Sequence, residues 1–215
     1  MTYLELVNAV LTRLREDTVQ TVSGSDDAVV NLVKGFINDA KRTCEAAHTW
    51  SALSVEWIVD TDPTSDLLVL EGSTESAVLD DVFTSTGVEV AVVDKSYLRQ
   101  RAIQSPGVGS PRYYIVDGKQ ANGDMRLRVW PAPEAVEPVY VYGFKAQPDL
   151  SSDDERLLIP SKPVIYLAQA LASRERGEDG SLQASELLGL AKQYLSDAIA
   201  IDATNSEPEN VWNTI

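Results

Sequence analysis

Apolar side chains at the start of the chain recur with the spacing of an amphipathic helix. Between residues 3 and 15, apolar positions follow one another every three or four residues and form one stripe. Thr2 precedes this stripe and Glu5 follows three residues later, which is the spacing of a capping box, where each side chain bonds the other residue's backbone N–H group. The pattern predicts a first helix over roughly residues 3 to 15.

A second and longer apolar stripe follows after a short break. Ser25 can cap the helix that this stripe predicts, because its hydroxyl can accept from a free N–H group and two aspartates follow at the positive end of the helix dipole. Cys44 lies on the apolar stripe and is expected in the core, whereas Lys41 and Glu45 belong to the polar side. The helix is expected to close near Trp50.

The period of the apolar residues changes to two at about residue 51, which is typical of a half-buried strand. The alternating residues are Leu53, Val55, Trp57 and Val59. Asn122-Gly123 is a turn signal between two later alternating stretches and predicts a hairpin with a longer loop. The further candidate strands lie at 67–70, 78–83, 89–93, 113–116, 125–130 and 139–144. Together these stretches predict a compact module of antiparallel strands.

Two further helices are predicted after an acidic connector at residues 151–155. Pro160-Ser161-Lys162-Pro163 signals a helix start, and Gly177 marks the stop. Ser181 can cap a fourth helix, whose apolar stripe reaches Ile199. Neither helical pair offers a full core by itself. The pattern therefore favours an α+β fold in which four helices form a bundle and the β-rich module is an insertion.

The chain is expected to divide into four parts. They are the N-terminal helices of the bundle at 1–50, the β-rich insertion at 51–149, the C-terminal helices of the bundle at 150–203 and an extended tail at 204–215. The tail carries Val211, Trp212 and Ile215. A tryptophan in an acidic tail is suited to anchor in a partner's groove. The alternative, that the tail folds back on its own subunit, stays open.

The composition makes the chain acidic, with 33 acidic and 18 basic residues and a formal charge of −15 at pH 7. Such a surface repels the nucleic-acid backbone, which argues against sequence-independent DNA binding but is compatible with a protein that surrounds DNA without gripping it. The single cysteine excludes an intramolecular disulfide. No signal-peptide pattern or membrane-spanning apolar run is present, so we expect a soluble intracellular protein.

The sequence predicts no catalytic, metal or cofactor site. His48 has no cysteine or second histidine at ligand spacing, which favours a packing or capping role. Asp80 and Asp81 are adjacent, and on a strand they face opposite sides, so they cannot flank one substrate as acid and base. The glycines within residues 107–111 lack the lysine and helix start of a phosphate loop.

One local group of basic residues stands out from the acidic background. Its members are Lys95, Arg99, Arg101 and Arg112. They surround Tyr97 and a loop that contains Gly107 and Gly109. A solvated face paired with carboxylates such as Asp94 is the favoured interpretation, and contact with nucleic acid is the alternative. The loop is also a candidate for an intersubunit or channel-facing element.

The order of these segments resembles the tail tubular protein A family, the head-to-tail adaptors of short-tailed bacteriophages. The matching segments are the opening helix at 3–14, Phe36-Ile37-Asn38-Asp39-Ala40, Arg128-Val129-Trp130-Pro131-Ala132-Pro133, Val141-Tyr142, and Leu158-Ile159-Pro160 with the helix at 168–172. The resemblance extends to about Asp202. It covers nearly the whole chain except the tail.

This resemblance implies a structural virion protein without a catalytic motif. Such adaptors form a ring, commonly dodecameric, that docks beneath the portal protein after genome packaging and offers a platform to the tail nozzle and fibres, while DNA passes through its channel. The helices and C-terminal segment contact the portal, and the β-rich part faces the tail. The portal-contact candidates here are Val211, Trp212 and Ile215, and assembly is expected in the host cytoplasm.

Two other functions stay open. The first is a small acidic enzyme or ligand-binding module with its site between the β insertion and the helices. The second is a head-completion protein of a long-tailed phage, which has a related role but a different partner.

Overall fold

The computed structural model describes residues 1–73, 77–104, 107–177 and 182–206. Its mixture of helices and strands is consistent with an α+β fold, while the four-helix bundle stays a prediction. The helices are α1 (Tyr3–Arg13), α2 (Ala28–Ala46), α3 (Lys95–Gln104), α4 (Ser161–Arg176) and α5 (Leu182–Ser206). The strands are β1 (Ser54–Asp60), β2 (Leu67–Leu70), β3 (Val78–Thr84), β4 (Ala91–Val92), β5 (Tyr113–Lys119), β6 (Met125–Trp130) and β7 (Pro138–Phe144).

The chain forms two compact units. The helical unit combines Met1–Leu53 with Ala146–Ile215, and the strand unit is the insertion Ser54–Lys145. Ser54 on β1 and Phe144 on β7 are partners in an antiparallel register. The insertion therefore begins and ends on one pair of neighbouring strands.

The first helix begins as the sequence predicts. The Thr2 hydroxyl accepts a hydrogen bond from the Glu5 N–H group at 3.2 Å, and the Glu5 carboxylate accepts one from the Thr2 N–H group at 2.9 Å, which confirms the capping box. The start of α4 at Ser161 and its stop are confirmed as well. Gly177 ends α4 with a φ of 65°, a left-handed conformation that glycine adopts without steric cost.

Both predicted ends of the second helix are wrong. Asp27 caps α2 instead of Ser25, because its carboxylate accepts bonds from the N–H groups two and three positions later, at 2.7 and 3.4 Å. The helix ends at Ala46, before Trp50. The Trp50 ring is buried, and its indole N–H donates to the carbonyl oxygen of Cys44 at 2.9 Å.

The last helix is longer than predicted. Because α5 continues to Ser206, the extended tail proposed from Thr204 is wrong for its first three residues. The Thr204 hydroxyl donates to the carbonyl oxygen of Ala200 at 2.7 Å, a local bond along the helix. The predicted cap Ser181 and the tail segment 207–215 lie outside the described residues.

Four helices supply the core of the helical unit. α4 packs against α5 and α2, and α1 packs against α2 and α4. Cys44 is buried, as expected from its stripe. The fully buried apolar residues include Leu6, Val7, Val10, Ile37, Ala40, Val164 and Ala168.

The return segment, residues 146–157, brings the chain back to the helical unit through polar bonds. The Asn38 side chain donates to the carbonyl oxygen of Leu150 at 3.1 Å and accepts from its N–H group at 2.9 Å. The Asp153 carboxylate accepts from the loop before α2. Backbone hydrogen bonds also join the segment to Met1, Tyr3 and Leu4. The return segment therefore satisfies polar groups on both N-terminal helices.

Lys41 and Glu45 form a buried ion pair, so their predicted place on a solvent-facing side is wrong. Their side chains are 0% and 3% exposed, and Lys41 Nζ lies 3.2 Å from Glu45 Oε2. Lys41 also donates to the carbonyl oxygen of Gln147 at 2.5 Å. Burial raises the pKa of the Glu45 carboxyl, and the ammonium beside it offsets this only in part. The return segment thus converts a polar helix face into an interior one.

Two sheets form the strand unit in its described residues. One has the order β1-β7-β3 and the other the order β2-β6-β5-β4. The hairpin predicted around Asn122-Gly123 is confirmed by the antiparallel pairing of β5 with β6. β4 pairs with β5 in parallel, so the expectation of an antiparallel module fails at this edge. The core between the sheets contains Trp57, Leu68, Leu70, Val82, Tyr114, Leu127, Val129, Val139 and Val141.

Gly143 is required where two strands approach closely on the central strand β7. A Cβ atom at this position would lie 2.4 Å from the carbonyl oxygen of Val78 and 3.2 Å from the Trp57 ring. Neither a strand backbone nor a buried tryptophan can move away freely. Glycine is therefore the residue that allows β3 to pair with β7 here.

The buried ion pair gives the first prediction. Replacing Lys41 with methionine is expected to lower the free energy of unfolding by about 3–5 kcal/mol, because Glu45 is left buried without its counter-ion. Denaturation in urea measures this loss. Lys192→Met, an exposed change on α5, is the matched control and should shift stability by less than about 0.5 kcal/mol. Equal effects of the two changes would contradict a structural role for the pair.

The close approach of the strands at Gly143 gives a second prediction. Gly143→Ala should lower the free energy of unfolding by about 1–3 kcal/mol, because the added methyl group collides with the backbone of β3. Gly189→Ala is the control, since a Cβ at this helical position of α5 meets no atom within 4 Å. That change should stabilise the protein by about 0.5–1 kcal/mol. Thermal unfolding of both variants checks the opposite signs.

Candidate assembly surfaces

The predicted site residues fall into two groups in the structure. Val211, Trp212 and Ile215 lie outside the described residues. The four basic residues are described and lie on or beside a helix of the strand unit, three of them on α3 and Arg112 immediately before β5. The sequence pattern did not predict this helix, because its apolar residues form no continuous stripe.

Asp94 caps α3, so it is not the partner of the basic residues. Its carboxylate accepts a hydrogen bond from the Ser96 N–H group at 2.7 Å and another from the Ser96 hydroxyl. These bonds, the hydroxyl one first, lower the pKa of the Asp94 carboxyl. Leu98 is the buried residue of α3, and the helix packs against β5. This packing leaves Lys95 and the two arginines of the helix exposed.

Aromatic and guanidinium groups line a cavity of about 420 Å³, which we call the Arg101 groove. The aromatic and basic residues that line it are Tyr97, Arg101, Arg112, Tyr113 and Trp130. The Arg101 guanidinium lies 5.4 Å from the centre of the Tyr97 ring, and its Nε donates to the Tyr97 hydroxyl at 3.3 Å. Tyr113 stacks on Trp130 with ring centres 6.0 Å apart and meets Tyr97 edge-on at 5.9 Å. The groove is therefore a preformed aromatic surface with a cationic rim.

Some polar groups in and near the Arg101 groove have no hydrogen-bond or ion-pair partner among the described residues. Trp130 Nε1 is buried and has no acceptor among the described residues. Among the described residues, the four basic residues Lys95, Arg99, Arg101 and Arg112 also form no ion pair. By contrast, Arg128 on the same sheet pairs with Asp66 at 2.6 Å and with Asp117 at 3.0 Å. The four residues are exposed, as expected for a solvated face, but the expected pairing with carboxylates such as Asp94 is not found among the described residues.

A group of exposed carboxylates, the β3 acidic cluster, lies elsewhere on the strand unit. It consists of Asp80, Asp81 and Glu89. The β3–β7 register shifts between Leu79 and Val82, so the simple alternation expected for the two aspartates is interrupted and both are exposed. Burial, followed by the charges of the cluster, raises the pKa of the Tyr114 hydroxyl. The cluster therefore lies near the end of β5 that bears Tyr114.

A second groove lies between the last two helices and is called the α4–α5 groove. It has a volume of about 530 Å³ and is lined by Lys162, Pro163, Tyr194, Ala198 and Ile201 among others. Ile201 is 64% exposed. Tyr194 contacts the Tyr166 ring with centres 4.9 Å apart, and Lys162 Nζ lies 5.6 Å from the Tyr194 ring centre. This groove is an apolar surface whose edge carries one cation, Lys162, and one carboxylate, Asp197.

Asp202 fixes the C-terminal part of α5 within the helical unit. Its carboxylate accepts bonds from the Ser51 hydroxyl at 2.6 Å and the Ser51 N–H group at 3.0 Å, and lies 3.1 Å from His48 Nε2. Although burial alone acts in the opposite direction, these bonds lower the pKa of Asp202 overall. His48 also packs edge-on against Trp50. Its contacts are those of a packing residue.

Chemistry outside these surfaces is limited among the described residues. They contain no group of three or more His, Cys, Asp or Glu side chains that could hold a metal ion. Burial, followed by the charge of Glu45, raises the pKa of the Cys44 thiol to about 12, so the thiol is protonated near neutral pH. Within the described part of the chain, no helix is long and apolar enough to cross a membrane.

Comparison with known proteins identifies the family. No curated protein matches the chain. The sequence model of a family described as SU10 adaptor protein matches residues 1–211. This match confirms the broader resemblance to phage adaptors, which are structural components of the virion, whereas the narrower likeness to the tail tubular protein A family stays a prediction. The chain therefore belongs to the SU10 adaptor protein family.

Proposed function

We propose that this adaptor forms a ring at the head-to-tail junction of the virion. The proposed ring is a dodecamer, as the resemblance to adaptors of short-tailed phages implies. The ring docks beneath the portal, connects it to the tail nozzle and fibres, and surrounds the DNA as it passes through the channel. The observation that carries this proposal is the family match over residues 1–211. The charge of −15 supports the channel role, because an acidic protein does not hold a moving polyanion.

The portal-facing side is proposed to combine the α4–α5 groove with the C-terminal tail. Ile201 offers an exposed apolar anchor on α5, and Lys162 and Asp197 supply charged groups of both signs at the edge of the groove. Asp202 holds the same helix close to the point where residues 207–215 follow. Val211, Trp212 and Ile215 are then the tail anchors, a hypothesis that rests on their sequence alone.

The portal role of the tail is tested by truncation. Removal of residues 208–215 should leave the thermal unfolding of the protein unchanged, since all core residues that the structure describes precede this segment. The truncated protein should no longer add to purified portal rings in electron micrographs. Trp212→Ala should cause much of the same loss, whereas Asn213→Ala, the adjacent control, should not. Normal addition of the truncated protein would remove the tail from the portal interface.

The α4–α5 groove is tested with Ile201→Asp. A charge in the centre of an apolar contact should weaken portal binding by about tenfold or more. Gln193→Asp introduces the same charge at an exposed position of the same helix and should leave the affinity within about twofold of the wild type. Biolayer interferometry with immobilised portal measures both. Equal affinities for the two variants would place the portal contact elsewhere.

A further inference from the structure

Two arginines line the Arg101 groove, and the described part of the chain leaves them without a carboxylate partner. Arg101 and Arg112 have no carboxylate oxygen within 4 Å among the described residues, although the protein as a whole is strongly acidic. Guanidinium groups beside stacked aromatic rings favour planar anionic partners, and carboxylates fit them with two parallel hydrogen bonds. The groove is thus shaped to receive carboxylates from outside its own chain.

The β3 acidic cluster is the matching surface on the same strand unit. Asp80, Asp81 and Glu89 are exposed and form no ion pair within the described residues. The two patches belong to different sheets. Tyr113 of β5 and Trp130 of β6 line the groove. Asp80 and Asp81 lie on β3, an edge strand of the other sheet, and Glu89 pairs with Phe83 of the same strand. One copy therefore presents opposite charges on different sheets.

This arrangement suits contact between copies in a ring. Neighbouring subunits in a closed ring meet head to tail, so that one patch of each copy contacts a different patch of the next. A cationic groove and an acidic cluster on separate sheets meet this requirement, because each copy can then offer one patch to the preceding copy and the other patch to the next. A nucleic-acid partner is less favoured, since the formal charge of −15 repels phosphates over the whole molecule.

We propose that the Arg101 groove of one copy binds the β3 acidic cluster of its neighbour, with Arg101 and Arg112 as the principal cations. This interface rests on the ring of the proposed function and specifies which surfaces close it. The Tyr97 ring holds the Arg101 guanidinium in place, so less freedom of this side chain is lost when copies join.

A charge-reversal cycle on the full-length protein tests this pairing. Two variants each reverse one patch, namely Arg101→Glu with Arg112→Glu, and Asp80→Lys with Asp81→Lys. A third variant carries all four changes. Assembly is measured as the protein concentration at which half of the purified portals carry an adaptor ring in electron micrographs. Each single-patch variant should require at least about tenfold more protein than the wild type, and the combined variant should return to within about threefold, because opposite charges again face each other.

The matched control reverses two exposed cations of the helical unit, Arg15→Glu with Arg156→Glu, and changes the net charge as much as the groove variant does. It should assemble like the wild type. Thermal unfolding of every variant distinguishes lost assembly from lost folding, and Arg101→Gln with Arg112→Gln provides a milder groove variant.

Several outcomes would overturn the proposed interface. Rings that withstand both single-patch reversals exclude this contact while leaving the adaptor function intact. A combined variant that stays as defective as its parents excludes the pairing of these two patches. Intact rings together with lost binding of a labelled single-stranded oligonucleotide by the groove variant assign the groove to nucleic acid. Absence of wild-type rings on the portal overturns both the adaptor proposal and the interface.

Discussion

The helical unit depends on the polar attachment of the return segment to α1 and α2. The insertion separates the N-terminal helices from the C-terminal ones by 92 residues, from Ser54 to Lys145, so their association must be re-established where the chain comes back. Asn38 binds both backbone groups of Leu150, and Lys41 binds the carbonyl oxygen of Gln147. These directional bonds fix the register of the segment in a way that apolar contacts alone would not. α4 then starts at a defined position on the surface of α2.

Local signals in the sequence predicted much of the secondary structure but not the contacts that change a residue's environment. The capping box of α1 and the glycine stop of α4 need only neighbours in sequence, and both were confirmed. Lys41 and Glu45 appear polar and solvent-facing in a helical pattern, and only a segment more than 100 residues later buries them. The same holds for α3, which packs against β5 and has one buried residue, Leu98, too few to give a periodic apolar pattern.

The candidate surfaces show the same division. The sequence singled out the four basic residues, but it placed their counter-charge on Asp94, which caps α3 instead. The groove itself could not be predicted, because Tyr97, Tyr113 and Trp130 come from three separate elements. The pairing of β5 with β6 sets Tyr113 opposite Trp130, and α3 adds the third ring. The alternation along β6 indicates that Arg128 and Trp130 face away from the core. It does not indicate which other elements pack over these two side chains.

The pairing of Ser54 with Phe144 has a consequence for how such adaptors can diversify. The Cα atoms of antiparallel partners lie only about 5 Å apart. The two ends of the insertion are therefore neighbours, and the helical unit only has to accommodate this short distance. Strands and loops distal to this pair can lengthen, shorten or be exchanged without altering the geometry that the helices must accommodate. The insertion can therefore change in length and sequence while the helical unit keeps its own architecture.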